Sequence, residues 1–298
     1  MKPKYITPMI TPLDVAGQFD WTATAALLDF LIVHGIDGVL IFGTSGEFPM
    51  FSVQQKQAFI NFVLRHVNGR VSVHVGTGAL HPDETIALSN FALAQGAESV
   101  FIINPFFFSV QGQALETYYT SLACSIQGNI HLYNFPAQTK TDLSPALIAS
   151  LTHKHKNIIG LKDSVASFAH TRTVLCAVLP HRPNFAVYSG FDEHLVCNIL
   201  SGGAGCIGAL SNFAPSVCSA WASAIALQNF EEVASLQQKI NRLMELYSLE
   251  TPFVPILKAA IAMVGLPVQE NVLQPLTSLS PSSRKRLRAL LQQNELLI

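Results

Sequence analysis

The chain has 298 residues, of which 49% are hydrophobic and 12% charged, and its formal net charge is −1. This length and composition suffice for a large buried core and exclude a disordered or strongly charged chain. The basic residues are scattered apart from a short run at residues 284–288, which predicts the polar face of a terminal helix. We therefore expect no nucleic-acid partner.

The cysteines and histidines suggest neither a disulfide framework nor a zinc site, because no CxxC pair and no HExxH motif occurs. The one close histidine pair, His153 and His155, falls at a predicted helix end, where a solvated surface is the simpler interpretation. The first residues contain no continuous apolar segment of the signal-peptide type, and no run of about 18 uncharged apolar residues predicts a membrane span. We expect no metal, no membrane contact and a location in the cytoplasm.

Eight short apolar segments recur along the chain with helical patterns between them. They are YITPMI, GVLIFG, VSVHVG, SVFIIN, IHLYN, IIGLK, FAVYSG and GCIGAL, beginning at residues 5, 38, 71, 99, 130, 158, 185 and 205. Strands that are apolar on both faces and alternate with helices indicate a parallel sheet covered by helices. Eight such units predict a closed (β/α)8 TIM barrel. An open doubly wound sheet is the alternative, but no GxGxxG follows the first strand.

The segments between the strands carry apolar residues at helical spacing, together with signals for where each helix begins and ends. Ser52 and Asp83 are predicted N-terminal signals, whereas Gly35, Gly69 and Gly96 fall where C-terminal caps are expected.

The strand patterns stop at about residue 214, and three more helical patterns follow the eighth barrel helix. No linker rich in Gly, Ser or Pro marks a second independent domain. We predict a barrel over residues 1–226 and a C-terminal helical appendage, residues 227–298, packed on it.

Active-site residues of such barrels come from the C-terminal ends of the strands and from the loops that follow them. Lys162, in NIIGLKDS, is the only one of ten lysines at such a strand end. A buried ammonium is disfavoured, so this lysine must be paired, must reach a water-filled site, or must lose its proton and become a nucleophile. Pairing with the neighbouring Asp163 is the structural alternative, and the residues alone leave both possibilities open.

Two other strand ends carry side chains or amides suited to chemistry. The small residues and hydroxyls of GTSGE, residues 43–47, predict backbone N–H groups that bind a carboxylate or a phosphate, although a tight turn explains the same pattern. Tyr133 ends the fifth strand, next to the strand of Lys162. It is a candidate general acid/base, and a packed core tyrosine is the alternative.

These motifs match a known family when they are taken together. GTSGE, YNFP, GLKDS and the stretch GGAGCIGALSNFAP (residues 202–215) resemble the pyruvate-dependent class I aldolase family of dihydrodipicolinate synthase and N-acetylneuraminate lyase. The resemblance extends over essentially the whole chain, including TPFVPILKAAIAMVGLP in the tail. GTSGEF, NFPAQT and SNFAP are most similar to the branch of 2-keto-3-deoxy sugar-acid aldolases.

The resemblance implies a Schiff base between Lys162 and the ketone carbon of pyruvate. It implies that Thr44, Ser45 and their amides hold the pyruvate carboxylate and that Tyr133 transfers protons. The iminium is itself an electron sink, so no metal or bound cofactor is expected. The family resemblance also implies keto-acid and aldehyde substrates and a homotetramer, a dimer of dimers. The other candidate substrate-binding residues are Gly43, Gly46, Asn134, Phe135, Gln138, Ser164, Gly190 and Ser211.

Two positions depart from the family pattern. Gln138 stands where dihydrodipicolinate synthases carry an arginine for the carboxylate of the aldehyde substrate, and an amide cannot replace that guanidinium. Phe107 stands where family members have a tyrosine that reaches a neighbouring subunit's proton relay, and phenylalanine cannot transfer a proton.

We therefore expect reversible cleavage of a 2-keto-3-deoxy sugar acid to pyruvate and an aldehyde. One alternative is the dihydrodipicolinate synthase-type condensation, which the residue at position 138 disfavours. A second is a pyruvate-binding barrel with little turnover. A third is a pyridoxal-phosphate enzyme, for which no partner residues can be identified in the sequence.

Overall fold

A computed structural model describes residues 3–297 and contains a closed barrel of eight parallel strands. In chain order, β1 to β8 are Lys4–Pro8, Gly38–Ile41, Ser72–Gly76, Ser99–Ile103, Ile130–Asn134, Ile158–Asp163, Ala186–Ser189 and Gly205–Ile207. Each strand pairs with its neighbours in sequence, and β8 pairs back onto β1. The predicted (β/α)8 barrel is confirmed.

Helices cover the outside of the barrel and connect successive strands. In chain order, α1 to α9 are Trp21–Val33, Val53–Val67, Pro82–Ala94, Gly112–Ser125, Pro136–Thr139, Pro145–Lys154, Phe168–Val178, Leu195–Leu200 and Pro215–Ala226. The four-residue α5 directly follows β5, so α6 is the helix that leads to β6. Short 3-10 turns follow β2 and β8 at Thr44–Gly46 and Ala209–Asn212.

The helix boundaries follow the sequence signals with one correction. Ser52 caps α2 in a capping box, in which its hydroxyl accepts the Gln55 amide and the Gln55 side chain accepts the Ser52 amide. At α3 the cap is His81 and not Asp83, because Pro82 occupies the first helical position and Asp83 lies within the first turn. The predicted C-terminal glycines all have positive φ, as such caps require: Gly35, Gly69 and Gly96.

The barrel interior is a packed core and not a pore, as is usual for this fold. The ring of Phe101 stacks on His131 with 4.3 Å between the ring centres. The apolar side chains that meet around this stack are Ile6, Leu40, Phe101, Tyr188 and Ile207. Because this layer closes the middle of the barrel, space for a ligand remains at the C-terminal ends of the strands.

The predicted C-terminal appendage consists of α10, Phe230–Met244, α11, Val254–Met263, and α12, Pro281–Gln293. Helix α11 packs against the turns that follow β2 and β8. The division between residues 1–226 and 227–298 stays a prediction, and residues 1, 2 and 298 lie outside the described part. No helix in residues 3–297 is both long and apolar enough to cross a membrane.

The barrel layer predicts the effect of a cavity on stability. Phe101 is 1% exposed, so Phe101→Ala removes buried volume and the His131 stack, and we expect a loss of about 3–5 kcal/mol in unfolding free energy. Denaturant-induced unfolding measures this loss. Phe101→Leu is the matched control, because it keeps most of the apolar volume and should lose less. Equal stability of the Ala variant and the wild type would contradict the packed interior.

Candidate active site

Lys162 and Tyr133 lie side by side at the C-terminal ends of two neighbouring strands. They are direct partners in the parallel register of β5 and β6, so their side chains point in the same direction. Each is 4% exposed, and the Lys162 Nζ lies 4.4 Å from the centre of the Tyr133 ring. The strand pairing thus brings a buried amine and a phenol together, as the sequence predicts.

The carboxylate next to Lys162 in sequence is committed elsewhere. Asp163 accepts hydrogen bonds from His170 Nδ1 at 2.9 Å, Thr171 Oγ1 at 2.7 Å and Asn134 Nδ2 at 2.9 Å. Burial opposes the charging of His170, but the Asp163 hydrogen bond, the charges of Asp163 and Asp142 and the Leu143 carbonyl together outweigh burial and raise the His170 pKa. Within residues 3–297 the Lys162 ammonium has no ion pair. Pairing with Asp163, the structural alternative for this lysine, is therefore not formed.

The GTSGE turn presents unused backbone donors to the same place. The Gly46 and Glu47 amides close the turn on Gly43 O and Thr44 O, whereas the Thr44 and Ser45 amides donate no hydrogen bond within residues 3–297. The Thr44 hydroxyl lies 3.1 Å from the Tyr133 hydroxyl. Free amides at the end of a strand are suited to a carboxylate or phosphate, and the Thr44 contact links them to the phenol.

A cavity of about 170 Å³ opens at these strand ends. Of the predicted site residues, its wall contains Thr44, Ser45, Tyr133, Phe135, Lys162, Ser164 and Gly190. At Gly190 a Cβ atom would lie 1.9 Å from Ser164 Oγ, so this glycine permits the close approach of β6 and β7. No group of three or more His, Cys, Asp or Glu side chains within residues 3–297 is placed to hold a metal ion.

Five predicted substrate-binding residues lie outside this wall: Gly43, Gly46, Asn134, Gln138 and Ser211. Asn134 is fully buried and supports Asp163, and the Ser211 hydroxyl donates to Gly208 O. Gln138 is exposed on α5 and is not part of the cavity wall. Direct substrate contacts by these residues stay predictions, whereas the hydrogen bonds of Asn134 assign it a supporting position.

Sequence reasoning missed a carboxyl group in the cavity wall. Asp192, in the turn after β7, is 1% exposed and accepts hydrogen bonds from the Tyr5 hydroxyl and the Leu210 amide. Burial raises its pKa to about 7, with Glu193 acting in the same direction and the Tyr5 hydrogen bond opposing. Asp192 lies in SGFDE, at the end of the seventh predicted strand, so its position pointed to the site. Its hydrogen-bond partner, Tyr5 on β1, is remote in sequence and could not be inferred from a local motif.

The appendage also supplies part of the wall, through Met244, Tyr247 and Phe253. No sequence motif marked these three residues, because their positions depend on how the tail packs over the barrel. The cavity therefore combines a polar floor at the strand ends with a mainly apolar outer wall.

Asp192 predicts a pH-dependent term in stability. Its folded-state pKa of about 7 exceeds the ordinary 3.8, so its contribution is fully present below about pH 4 and is lost as the pH rises to about 7. We expect the unfolding free energy of the wild type to fall by about 4 kcal/mol over this range relative to Asp192→Asn. Denaturant unfolding at several pH values measures the difference, and parallel pH profiles would contradict it.

Comparisons with known proteins agree with this architecture. The family model described as the dihydrodipicolinate synthetase family matches residues 2–294. YagE of Escherichia coli K12, provisionally named a 2-dehydro-3-deoxy-D-gluconate aldolase, is 39% identical over 291 residues, which are 98% of this chain and 96% of YagE. YjhH of the same organism, provisionally named a 2-dehydro-3-deoxy-D-pentonate aldolase, is 36% identical over 286 residues, covering 96% of this chain and 95% of YjhH.

Structural comparison gives the same result. The crystal structure of YagE in complex with pyruvate superimposes with a TM-score of 0.96 and 38% identity, and the match covers 99% of each chain. The family resemblance inferred from the sequence motifs is confirmed. The chain belongs to the dihydrodipicolinate synthetase family.

Proposed function

We propose that this protein is a class I aldolase that reversibly cleaves a 2-keto-3-deoxy sugar acid to pyruvate and an aldehyde. The expectation of a carbon–carbon lyase is confirmed by the aldolase relatives of the chain. The observation that carries the proposal is the Lys162 amine, which is buried, has no counter-charge and lies beside Tyr133. An amine that faces the cavity and is not held in a salt bridge is available to attack a carbonyl group.

Substrate binding begins with the carboxylate of the keto acid. The unused Thr44 and Ser45 amides and their hydroxyls would receive it, which places the adjacent ketone carbon near the Lys162 Nζ. Holding the carboxylate while the amine attacks makes the reaction effectively intramolecular. YagE, whose crystal structure contains pyruvate, provides a relative with the same fold and the same class of ligand.

Schiff-base formation requires a nitrogen–carbon bond and the loss of water. The Lys162 Nζ attacks the ketone carbon, the ketone oxygen takes up protons, and water leaves to give an iminium. Tyr133 is the group positioned to move these protons, and its hydroxyl is held by the Thr44 hydroxyl at 3.1 Å. The iminium nitrogen can then accept an electron pair, so the mechanism requires no metal or bound cofactor.

Cleavage follows from the same arrangement. The C4 hydroxyl gives its proton to Tyr133 acting as base, the C3–C4 bond breaks, and its electron pair moves to the iminium nitrogen to form an enamine. The aldehyde leaves, C3 of the enamine takes up a proton, and water hydrolyses the resulting iminium to pyruvate and free Lys162. Every step is reversible, so the same residues catalyse condensation.

The composition of the cavity wall supports an uncharged aldehyde. Lys162 is the only basic side chain in the wall within residues 3–297, and in the proposed mechanism its amine is bonded covalently to the keto acid. No second cation is therefore available for an aldehyde that carries a carboxylate or phosphate. The mainly apolar outer wall, with Phe135, Phe191 and Phe253, can pack against the carbon face of a sugar chain. Together with Gln138, this disfavours the dihydrodipicolinate synthase-type condensation.

The mechanism predicts different losses for the amine and the phenol. Lys162→Ala should abolish cleavage of a panel of 2-keto-3-deoxy sugar acids, whereas Tyr133→Phe should still form the covalent adduct, more slowly, and lower kcat about 100-fold or more. Pyruvate release, measured by a coupled assay, gives both values. Lys140→Ala is the matched control, because Lys140 is exposed and should leave activity unchanged.

Two outcomes would redirect the proposal. Retained turnover in Lys162→Ala would rule out the Schiff-base mechanism. Covalent capture of pyruvate by the wild type without cleavage of any keto acid in the panel would favour the alternative of a pyruvate-binding barrel.

The homotetramer and the cytoplasmic location stay predictions, and one surface feature supports assembly. Phe107 and Phe108 follow β4 and are 83% and 72% exposed, and Leu80 in the preceding barrel loop is 65% exposed. Exposed apolar patches of this kind mark interaction surfaces. A second copy of the chain would cover the two phenylalanines.

Replacing both aromatics tests this assembly. Phe107→Ser/Phe108→Ser should lower the molar mass measured by light scattering from that of a tetramer to that of a smaller species. Phe230→Ser, which changes an aromatic side chain that is 70% exposed elsewhere, is the control. An unchanged mass for the double variant would show that this surface does not hold the assembly together.

A further inference from the structure

The GTSGE turn is bordered by two residues in an unusual backbone conformation. Phe42 and Glu47 both have a φ of 54°, in the left-handed region that residues other than glycine rarely adopt. Such conformations persist only where the surrounding structure fixes them. The turn that carries the Thr44 and Ser45 amides is therefore not in a conformation that its own sequence would choose, and some contact must hold it.

The Glu47 side chain points away from the cavity and into the C-terminal appendage. Its Oε1 lies 2.5 Å from Nζ of Lys258 on α11, and both side chains are 0% exposed. The geometry is that of a charge contact and not of an aligned hydrogen bond. Glu47 Oε2 accepts the Leu273 amide at 3.2 Å, and the Lys258 ammonium donates to Asn271 O at 2.6 Å. One carboxylate thus joins the turn to two segments of the appendage.

This ion pair is not needed to attach the appendage. Every residue of α11 from Val254 to Ile261 is buried, so apolar contacts already hold the helix against the barrel. A buried ion pair is also a poor source of net stability, because the lost hydration of both charges offsets much of their attraction. The pair instead fixes the position of the Glu47 side chain, and Glu47 is a residue at which the turn has a left-handed backbone.

We propose that Glu47 and Lys258 are positioning residues that hold the Thr44 and Ser45 amides toward the cavity, so that the C-terminal appendage forms part of the carboxylate-binding site. The identity of the carboxylate as that of a keto acid rests on the proposed function. The positioning of the turn does not depend on it. Neither Glu47 nor Lys258 lies in the cavity wall, so both act through the turn.

The test removes both charges together, so that neither is left buried and uncompensated. In Glu47→Gln/Lys258→Met we expect hydrogen exchange of the amides of residues 43–47 to accelerate about tenfold or more, because the turn is no longer restrained. We expect KM for the keto acid to rise about tenfold while kcat stays within about threefold, because the misplaced donors bind the carboxylate and not the reacting carbon.

A matched control changes an ion pair in the same part of the chain that does not reach the turn. Arg284 on α12 contacts Glu270, and both side chains are partly exposed. Glu270→Gln/Arg284→Met makes the same change of charge and should leave both the exchange of residues 43–47 and KM unchanged. Glu47→Gln/Lys258→Leu, which also leaves neither charge buried alone, replaces the first double variant if that variant does not fold, and its exchange and KM should move in the same direction.

The outcomes separate this inference from the proposed function. Unchanged exchange of residues 43–47 in the folded variant would overturn the positioning role, whatever the substrate. Faster exchange with an unchanged KM would also overturn the positioning role. The ion pair would then order the turn without contributing to carboxylate binding. If the wild type cleaves no keto acid, the proposed function fails, and the exchange measurement alone decides the role of the ion pair.

Discussion

The amine of Lys162 lies at the end of β6, 4% exposed, beside a carboxylate that is already saturated by His170, Thr171 and Asn134. The hydrogen bonds around Asp163 therefore also affect Lys162. Because Asp163 is bonded to other groups, Lys162 has no ion pair within residues 3–297 and its side chain lines the cavity. The proposed chemistry depends on this arrangement.

Barrel closure then determines what the amine meets. Parallel pairing sets Tyr133 next to Lys162, and the turn after β2 faces them across the strand ends with the Thr44 hydroxyl at 3.1 Å from the phenol. The interior layer around Phe101 blocks the barrel below these groups. Space for a ligand lies at the strand ends, where tail residues contribute to the wall and a tail lysine contacts the turn after β2.

The sequence predicted the strands, their order and the residues of the cavity floor, because these follow from local patterns and from the rule that strand ends form the site. It missed groups whose position depends on contacts between remote segments. Asp192 has Tyr5 as its partner, 187 residues away, and Glu47 has Lys258. The contact of Asn134 with the substrate stays a prediction, and the sequence did not indicate that its side chain donates a hydrogen bond to Asp163 on the neighbouring strand. His81, and not Asp83, is the N-terminal cap of α3 because Pro82 begins the helix.

The most direct measurement is reductive trapping. The protein is incubated with pyruvate, reduced with borohydride and digested, and the modified peptide is identified by mass spectrometry. We expect a single pyruvyl adduct on Lys162, the lysine that lies in the cavity wall and has no ion pair within residues 3–297. An unmodified protein, or an adduct confined to exposed lysines such as Lys140, would contradict the assignment of Lys162 as the nucleophile.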